Sequence, residues 1–144
     1  MTIDHRTGIE ILNEHVCWDL LAAAPVGRLA VSIAGHPDIF PVNHVVDGRT
    51  VVFRTAEGTK LAAAVLGLSV AFEADGWSPT DGDVWSVVMK GEAHEVEGLH
   101  ELLATDDLPL YPWSASVKHR VVRIVPTEIS GRRFHAVDDA QGLR

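Results

Sequence analysis

The stretch Phe40 to Lys60, FPVNHVVDGRTVVFRTAEGTK, reads as a β-hairpin that ends in a polar loop. Val42, His44 and Val46 alternate with Asn43 and Val45 as far as Asp47-Gly48. Asp-Gly suits a two-residue turn between antiparallel strands, where both central positions need φ > 0. The second strand is expected over Thr50 to Phe53, with Arg54 and Thr55 delivered at its end. Gly58 and Lys60 follow, and the Ala-rich run Leu61 to Leu66 predicts a short helix. Two cations, a hydroxyl and a helix N-terminus thus fall within seven residues. Backbone N–H groups at such an N-terminus and the guanidinium fork of Arg54 both favour a phosphate. The same residues also fit a plainer description, in which Arg54, Glu57 and Lys60 are solvated loop charges and Gly58 permits a turn. Lys60 weighs against it, because a cation in a first helical turn is unfavourable without an anion.

Two familiar phosphate motifs are excluded. Gly58-Thr59-Lys60-Leu61 lacks the Gly-Lys-Ser/Thr ending of a P-loop, and no G-x-G-x-x-G follows a strand. The length of 144 residues fits one domain, and 47% apolar residues can build a sizeable core. A net charge of −8 argues against general nucleic-acid binding and makes the local Arg54/Lys60 pair more informative. The single cysteine, Cys17, excludes an internal disulfide and suggests a reducing compartment; its apolar helical setting suggests packing, not reactivity. Met1 to Arg6 carries no hydrophobic signal core, and no apolar run approaches the ~20 residues that span a bilayer. The expectation is a cytoplasmic protein that binds neither membrane nor nucleic acid.

Along the chain, Ile9 to Leu12 is an apolar lead-in, and Asn13 is a good N-cap for a helix reaching about Ala24. Cys17, Leu20, Leu21 and Ala24 share one face of it, and Pro25 closes it. Gly27 to Ile33 alternates as a half-buried strand, and Ala34 to Pro37 turns into the hairpin. Ser69 to Ala74 is the next strand, Asp75 to Asp83 a loop, and Val84 to Val96 a long strand in which Gly91 marks a bulge or bend. Gly98 to Thr105 predicts a short helix and Asp106 to Ser116 a loop. His119 to Val125 and Ile129 to Phe134 are expected as two strands around a turn at Pro126. The organisation is a lead-in over 1–12, a single domain over 13–134 and a tail over 135–144. Strands dominate, so the economical solution is a small, mainly β, antiparallel barrel with peripheral helices over its seams.

VGRLAVS (Val26 to Ser32), the Phe40 to Lys60 stretch, VWSVVMKGEAHEV (Val84 to Val96) and VRIVPTEISGRRF (Val122 to Phe134) together resemble a known family. They are similar to the pyridoxamine 5′-phosphate oxidase-related, FMN-binding split-barrel proteins, and most of all to small actinobacterial-type members. The likeness spans about Asn13 to Phe134. It implies a homodimer with FMN in a groove between two split barrels. By that resemblance Arg54, Thr55 and Lys60 match positions that hold the flavin phosphate, and Pro41, Val42 and Asn43 match the strand beside the isoalloxazine ring. Phe53 would help wall the ribityl chain, and Trp85 and Ser86 match a strand that reaches the cofactor from the second subunit.

The reaction is not fixed by the likeness, since this superfamily hosts several. The implied activity is a flavin-dependent oxidoreductase acting on a small planar acceptor, with a nicotinamide or deazaflavin electron donor. The alternatives are a non-catalytic flavin-binding or sequestering protein and an F420-dependent reductase, whose broader basic groove would draw on Arg28, Arg54 and Lys60. The oxidase that names the family uses further basic groups near its C-terminus; here only Arg132 and Arg133 compete for that role, and strand-end charges are the simpler reading. No catalytic residue is assigned. Trp113 is a candidate lid, Trp85 divides between site and packing, and Trp18 reads as packing. The eight histidines show no metal-ligand spacing, and strand alternation turns His44 away from Asn43, toward a core or interface role.

Overall fold

The computed structural model describes residues 2–55, 69–96 and 120–135. Within them the chain runs β1 (Thr2–Asp4), β2 (Ile9–Leu12), α1 (Glu14–Ala23), β3 (Gly27–Ile33), β4 (His36–Val42) and β5 (His44–Asp47). It continues through β6 (Thr50–Thr55), β7 (Ser69–Trp77), β8 (Asp83–Glu95) and β9 (Arg120–His135). One antiparallel sheet takes the order β1-β2-β9-β8-β7-β3-β4, with β5 on β6 and β6 on β9. The long strand β9 explains the split. One of its edges carries β8 along nearly its whole length. The other is shared, with β6 on Arg120 to Ile124 and β2 on Gly131 to Arg133. The expected antiparallel split barrel is the fold.

The inner face closes around Leu29, Val51, Phe53, Phe72, Val87, Met89, Val122 and Ile124, all fully buried. α1 adds Cys17, Trp18 and Leu21 to this core. The helix begins where expected: Asn13 is extended at φ −74° and ψ 165°, and its Oδ1 accepts from the Val16 amide at 3.0 Å. It ends at Ala24, just before Pro25.

Several expectations are corrected. The lead-in over residues 1–12 supplies β1 and β2, and β2 is tied to the sheet through Glu10, Ile11 and Leu12 opposite Arg133, Arg132 and Gly131. The hairpin turn lies one residue later than predicted. Asp47 pairs with Thr50, so Gly48-Arg49 forms the loop, with Gly48 at φ +60° in the manner of a type II′ turn. β6 continues through Arg54 and Thr55, which pair with Val121 and Arg120. β7 runs on through Asp75-Gly76-Trp77, because Ser86, Trp85 and Val84 supply ladder partners that outweigh loop-like composition.

Pro126 makes no turn; β9 is one strand with an irregularity where the register steps between Lys90 and Gly91. Gly91 was expected to mark such a bulge. Thr127 is the extra residue, and the bulge accommodates a proline that has no N–H to give. Gly91 permits the close approach, since a Cβ there would lie 2.2 Å from the Val125 carbonyl oxygen. The predicted helices over 61–66 and 98–105, the loop over 106–116 and the start of the strand at His119 lie outside the described residues.

His44 faces the core, as alternation implied. Its Nε2 lies 2.9 Å from the Leu21 carbonyl, so that nitrogen carries the proton and donates, linking β5 to α1. Burial lowers its pKa, and the Leu21 bond opposes this only in part. The unfolded chain therefore binds the extra proton more readily, and this contribution to stability is lost as pH falls below about 6.5. Glu73 works in the opposite sense: its carboxyl, raised to about 7, favours the fold at low pH and loses that effect as pH rises through the folded value. Denaturation midpoints at about pH 7 and about pH 5 should fall on acidification more in the wild type than in His44→Gln. Equal falls would remove His44 as the acid-sensitive group.

Candidate functional site

Strand alternation sorts the expected site residues onto two faces. Arg54 is half-buried on the outer face, where it stands opposite Val121 and shares its side with Val52. Beside it Val52, Val96 and Val121 form a small second apolar cluster, with Val45 packed against it. Thr55 points inward and is buried, paired across the ladder with Arg120, whose Nε lies 3.6 Å from Glu95 Oε1. Alternation therefore leaves Arg54 on the outer face and sends Thr55 and Arg120 to the inner one. The Arg54 guanidinium suits a phosphate monoester, which accepts charge-assisted bonds on several oxygens. Lys60, expected to join it, lies outside the described residues. Farther along the same outer face, Arg123 Nη1 is held by Asp47 at 3.0 Å and by the Thr50 hydroxyl at 2.7 Å, which braces the hairpin.

The remaining expected residues divide. Pro41 is exposed on the outer face, across from Arg28. Asn43 is half-buried at the one-residue junction of β4 and β5. Val42 and Phe53 are core residues; Phe53 has no exposed surface, so it fills the barrel and does not wall an outer groove. Trp85 and Ser86, grouped together by the resemblance, face opposite sides. Trp85 packs against the core with its indole over Gly76, where a Cβ would lie 2.4 Å from the ring nitrogen. Ser86 is outside. Ser86 and Arg132 line a pocket of about 300 Å³ with Val88, Lys90, Glu128 and Ser130. A neighbouring groove of about 510 Å³ shares Lys90 and Glu128 with it. Both volumes are in the range of small-molecule sites.

A cluster that sequence reading missed sits between Pro41 and Ser86. Arg28 Nη2 donates to Asp75 Oδ2 at 2.5 Å, and Arg28 Nε lies 3.5 Å from Glu73 Oε1. Cross-strand register assembles it: Pro41 faces Arg28, Arg28 faces Glu73, and Asp75 faces Ser86. Burial, then Asp75, push the Glu73 carboxyl up to about 7, against the pull of Arg28. Asp75 is held below the usual carboxylate range, chiefly by the bond it accepts from Glu73. The only signal in the sequence was the acidic pair in Glu73-Ala74-Asp75, of which Asp75 was expected in a loop. Arg133, by contrast, lies 3.8 Å from Glu10, an inter-strand ion pair that accords with a strand-end charge. Trp18 is buried in the core, in line with its reading as a packing residue. Trp113 lies outside the described residues. Among the described residues no His, Cys, Asp and Glu group of three or more could hold a metal ion, and no helix is long and apolar enough to cross a membrane.

The model of the family described as pyridoxamine 5′-phosphate oxidase matches residues 13–133, most of the chain. The chain belongs to the pyridoxamine 5′-phosphate oxidase family. Within that family it is similar to the FAD-binding protein of Mycobacterium smegmatis, with 42% identity and a TM-score of 0.81 over 89% of this chain and 100% of that one. An FAD-binding protein of Mesorhizobium loti is 25% identical, with a TM-score of 0.68 over 88% and 98% of the two chains. An uncharacterized protein of Mycobacterium tuberculosis is 40% identical over 131 residues, 87% of this chain and 85% of that one. Pyridoxamine 5′-phosphate oxidase family membership accords with the β-barrel described above, and the two solved relatives are flavin-binding proteins.

Proposed function

We propose that the protein binds a flavin nucleotide as a homodimer and works as a flavin-dependent oxidoreductase on a small planar acceptor. The observation that carries this is Arg54 near the end of β6, a guanidinium suited to a phosphate on the outer face beside the Val52 cluster. Arg54 would hold the phosphate through charge-assisted hydrogen bonds. A bound flavin supplies the hydride chemistry, and the protein orients its ring and leaves a face accessible. FMN is the expected ligand. Its phosphate and ring are also half of FAD, which the Mycobacterium smegmatis relative binds, so both enter the test. F420 is less favoured: its acidic tail would draw on Arg28, which Asp75 and Glu73 already engage.

Calorimetric titration with FMN, FAD and F420 in turn tests the ligand. A flavin is expected to bind with quenched fluorescence; absence of heat with FMN and FAD would reject the reading. Anaerobic addition of NADH, NADPH or reduced F420 to the flavin-loaded protein then tests turnover. Bleaching followed by reoxidation with a quinone is the expected result, and loaded protein that no donor bleaches would be a flavin-sequestering protein.

A further inference from the structure

We propose that the seam of the split barrel, where α1, the β5–β6 turn and the β9 bulge meet, is a second ligand site that takes a small planar lactam, an uncharged ring with adjacent C=O and N–H groups. The seam is separate from Arg54. Thr50 and Arg54 stand near opposite ends of β6, about 13 Å apart by strand rise, and Arg49 lies beyond Thr50 in the turn. Occupancy of the seam therefore does not require a flavin.

The seam follows from the pairing of β9. β6 covers one of its edges as far as Ile124, and β2 takes up that edge again at Gly131. Between them, residues 125–130 have no ladder partner on that edge among the described residues. Successive strand residues turn their N–H and C=O groups alternately to the two edges, so unladdered backbone fronts the gap. Pro126 has no N–H to give there, and carbonyls predominate over donors as a result. Pro126 to Ile129 line a pocket of about 350 Å³ together with Glu14 and Trp18 of α1 and Arg49 of the turn. That volume is in the range of small-molecule sites.

Trp18 calls for the ligand. It is 6% exposed, and its indole N–H is buried with no hydrogen-bond partner among the described residues. Folded proteins leave few such donors unpaired, because the lost hydration is not repaid. An indole nitrogen donates and does not accept, so its complement is an oxygen acceptor. The charges around the pocket choose among acceptors. Arg49 Nη1 is engaged by Glu14 Oε1 at 2.6 Å, and Glu128 Oε1 lies 3.9 Å from Lys90, which is not part of the lining. The lining thus holds two carboxylates and one guanidinium, and a ligand carboxylate would be repelled. A cation would offer Trp18 nothing to bond. A neutral carbonyl remains. An N–H beside it on the same ring supplies the donor that the carbonyls of the open β9 edge lack. Planarity follows from the walls, since the Trp18 ring, Pro126 and Ile129 present apolar surface to a flat body.

The probe is 2-quinolinone, a flat bicyclic lactam, added to ¹⁵N-labelled full-length protein with and without FMN. The indole N–H resonance that disappears in Trp18→Phe is expected to move downfield and to saturate, with FMN present or absent. By calorimetry Trp18→Phe should bind the probe about twofold to tenfold more weakly, the worth of one neutral hydrogen bond. Thr127 is exposed at the pocket wall, so Thr127→Phe fills the site and leaves the core untouched. That variant should keep the wild-type circular dichroism spectrum and lose binding. Quinoline-2-carboxylate and N-methyl-2-quinolinone, which add a charge or remove the N–H, should both bind more weakly than the lactam. A Trp18 resonance that stays in place up to about 1 mM probe would overturn the proposal. Full binding by folded Thr127→Phe, or a carboxylate that binds as tightly as the lactam, would overturn it too. Displacement of the probe by FMN would assign it to the flavin site and reject a separate one.

Discussion

Replacing Phe72 by alanine is expected to destabilise the protein by about 3–5 kcal/mol, the range for removing a large buried aromatic. Phe72 has no exposed surface and lies between Leu29 on β3 and Met89 on β8 in the ladder. Its ring is seated directly on the Gly27 backbone, where a Cβ would come within 2.0 Å of Cζ. No other side chain can fill that space from the glycine. The ring also meets His44 edge-on, with centroids 4.8 Å apart and planes at 68°. His44 in turn holds the Leu21 carbonyl of α1, so the cavity would open beneath the contact that fixes helix to sheet. A loss of this size is a large fraction of the 5–15 kcal/mol that is typical of a domain. Urea denaturation of Phe72→Ala against wild type measures it. A midpoint within experimental error of wild type would show that neighbouring side chains close over the site, and the packing argument would fail.

Sequence reading found the elements whose signal is local. Leu29, Val31 and Ile33 alternate, and β3 lies where they indicate, from Gly27 to Ile33. Asn13 announces α1, and Gly91 announces the bulge. The errors share a cause, which is that the stabilising partner is distant in the chain. Asp75-Gly76-Trp77 carries loop composition, yet Gly76 is needed because the Trp85 ring covers it across the ladder. Pro126 looked like a turn because only the opposite strand reveals that a bulge absorbs it. β2, with four residues, is too short to show a period, and β9 alone makes it a strand.

The same division runs through the candidate site. Arg54 was legible, since a cation that follows an apolar strand stands out in an acidic chain. Which neighbours face its way was not legible. Alternation puts Phe53 and Thr55 inside and Arg54 outside, so the contiguous motif of the sequence is not a contiguous surface. Ser86 and Trp85 separate for the same reason. Arg28, Glu73 and Asp75 come together only through register between β3 and β7, which no spacing within either strand encodes.

Arg54→Ala is expected to weaken flavin binding by about tenfold to a hundredfold, as loss of one charge-assisted hydrogen bond of about 1.5–3 kcal/mol implies. The fold should tolerate the change, because Arg54 is on the outer face and the core beneath is filled by Phe53. Arg54→Lys should recover part of the affinity, as a point charge without the planar fork. Thr55→Ala is a poorer probe, since that side chain is buried and its loss mixes packing with binding. The informative comparison is FMN with riboflavin, which lacks the phosphate. If Arg54 holds that group, the variant should bind FMN hardly better than riboflavin, whereas wild type should discriminate strongly between them. An Arg54→Ala protein that stays folded and retains the full preference for FMN would move the phosphate elsewhere. The pocket of Ser86, Ser130 and Arg132 would then be the next donor set to test, since it offers two hydroxyls and a guanidinium on the same outer face.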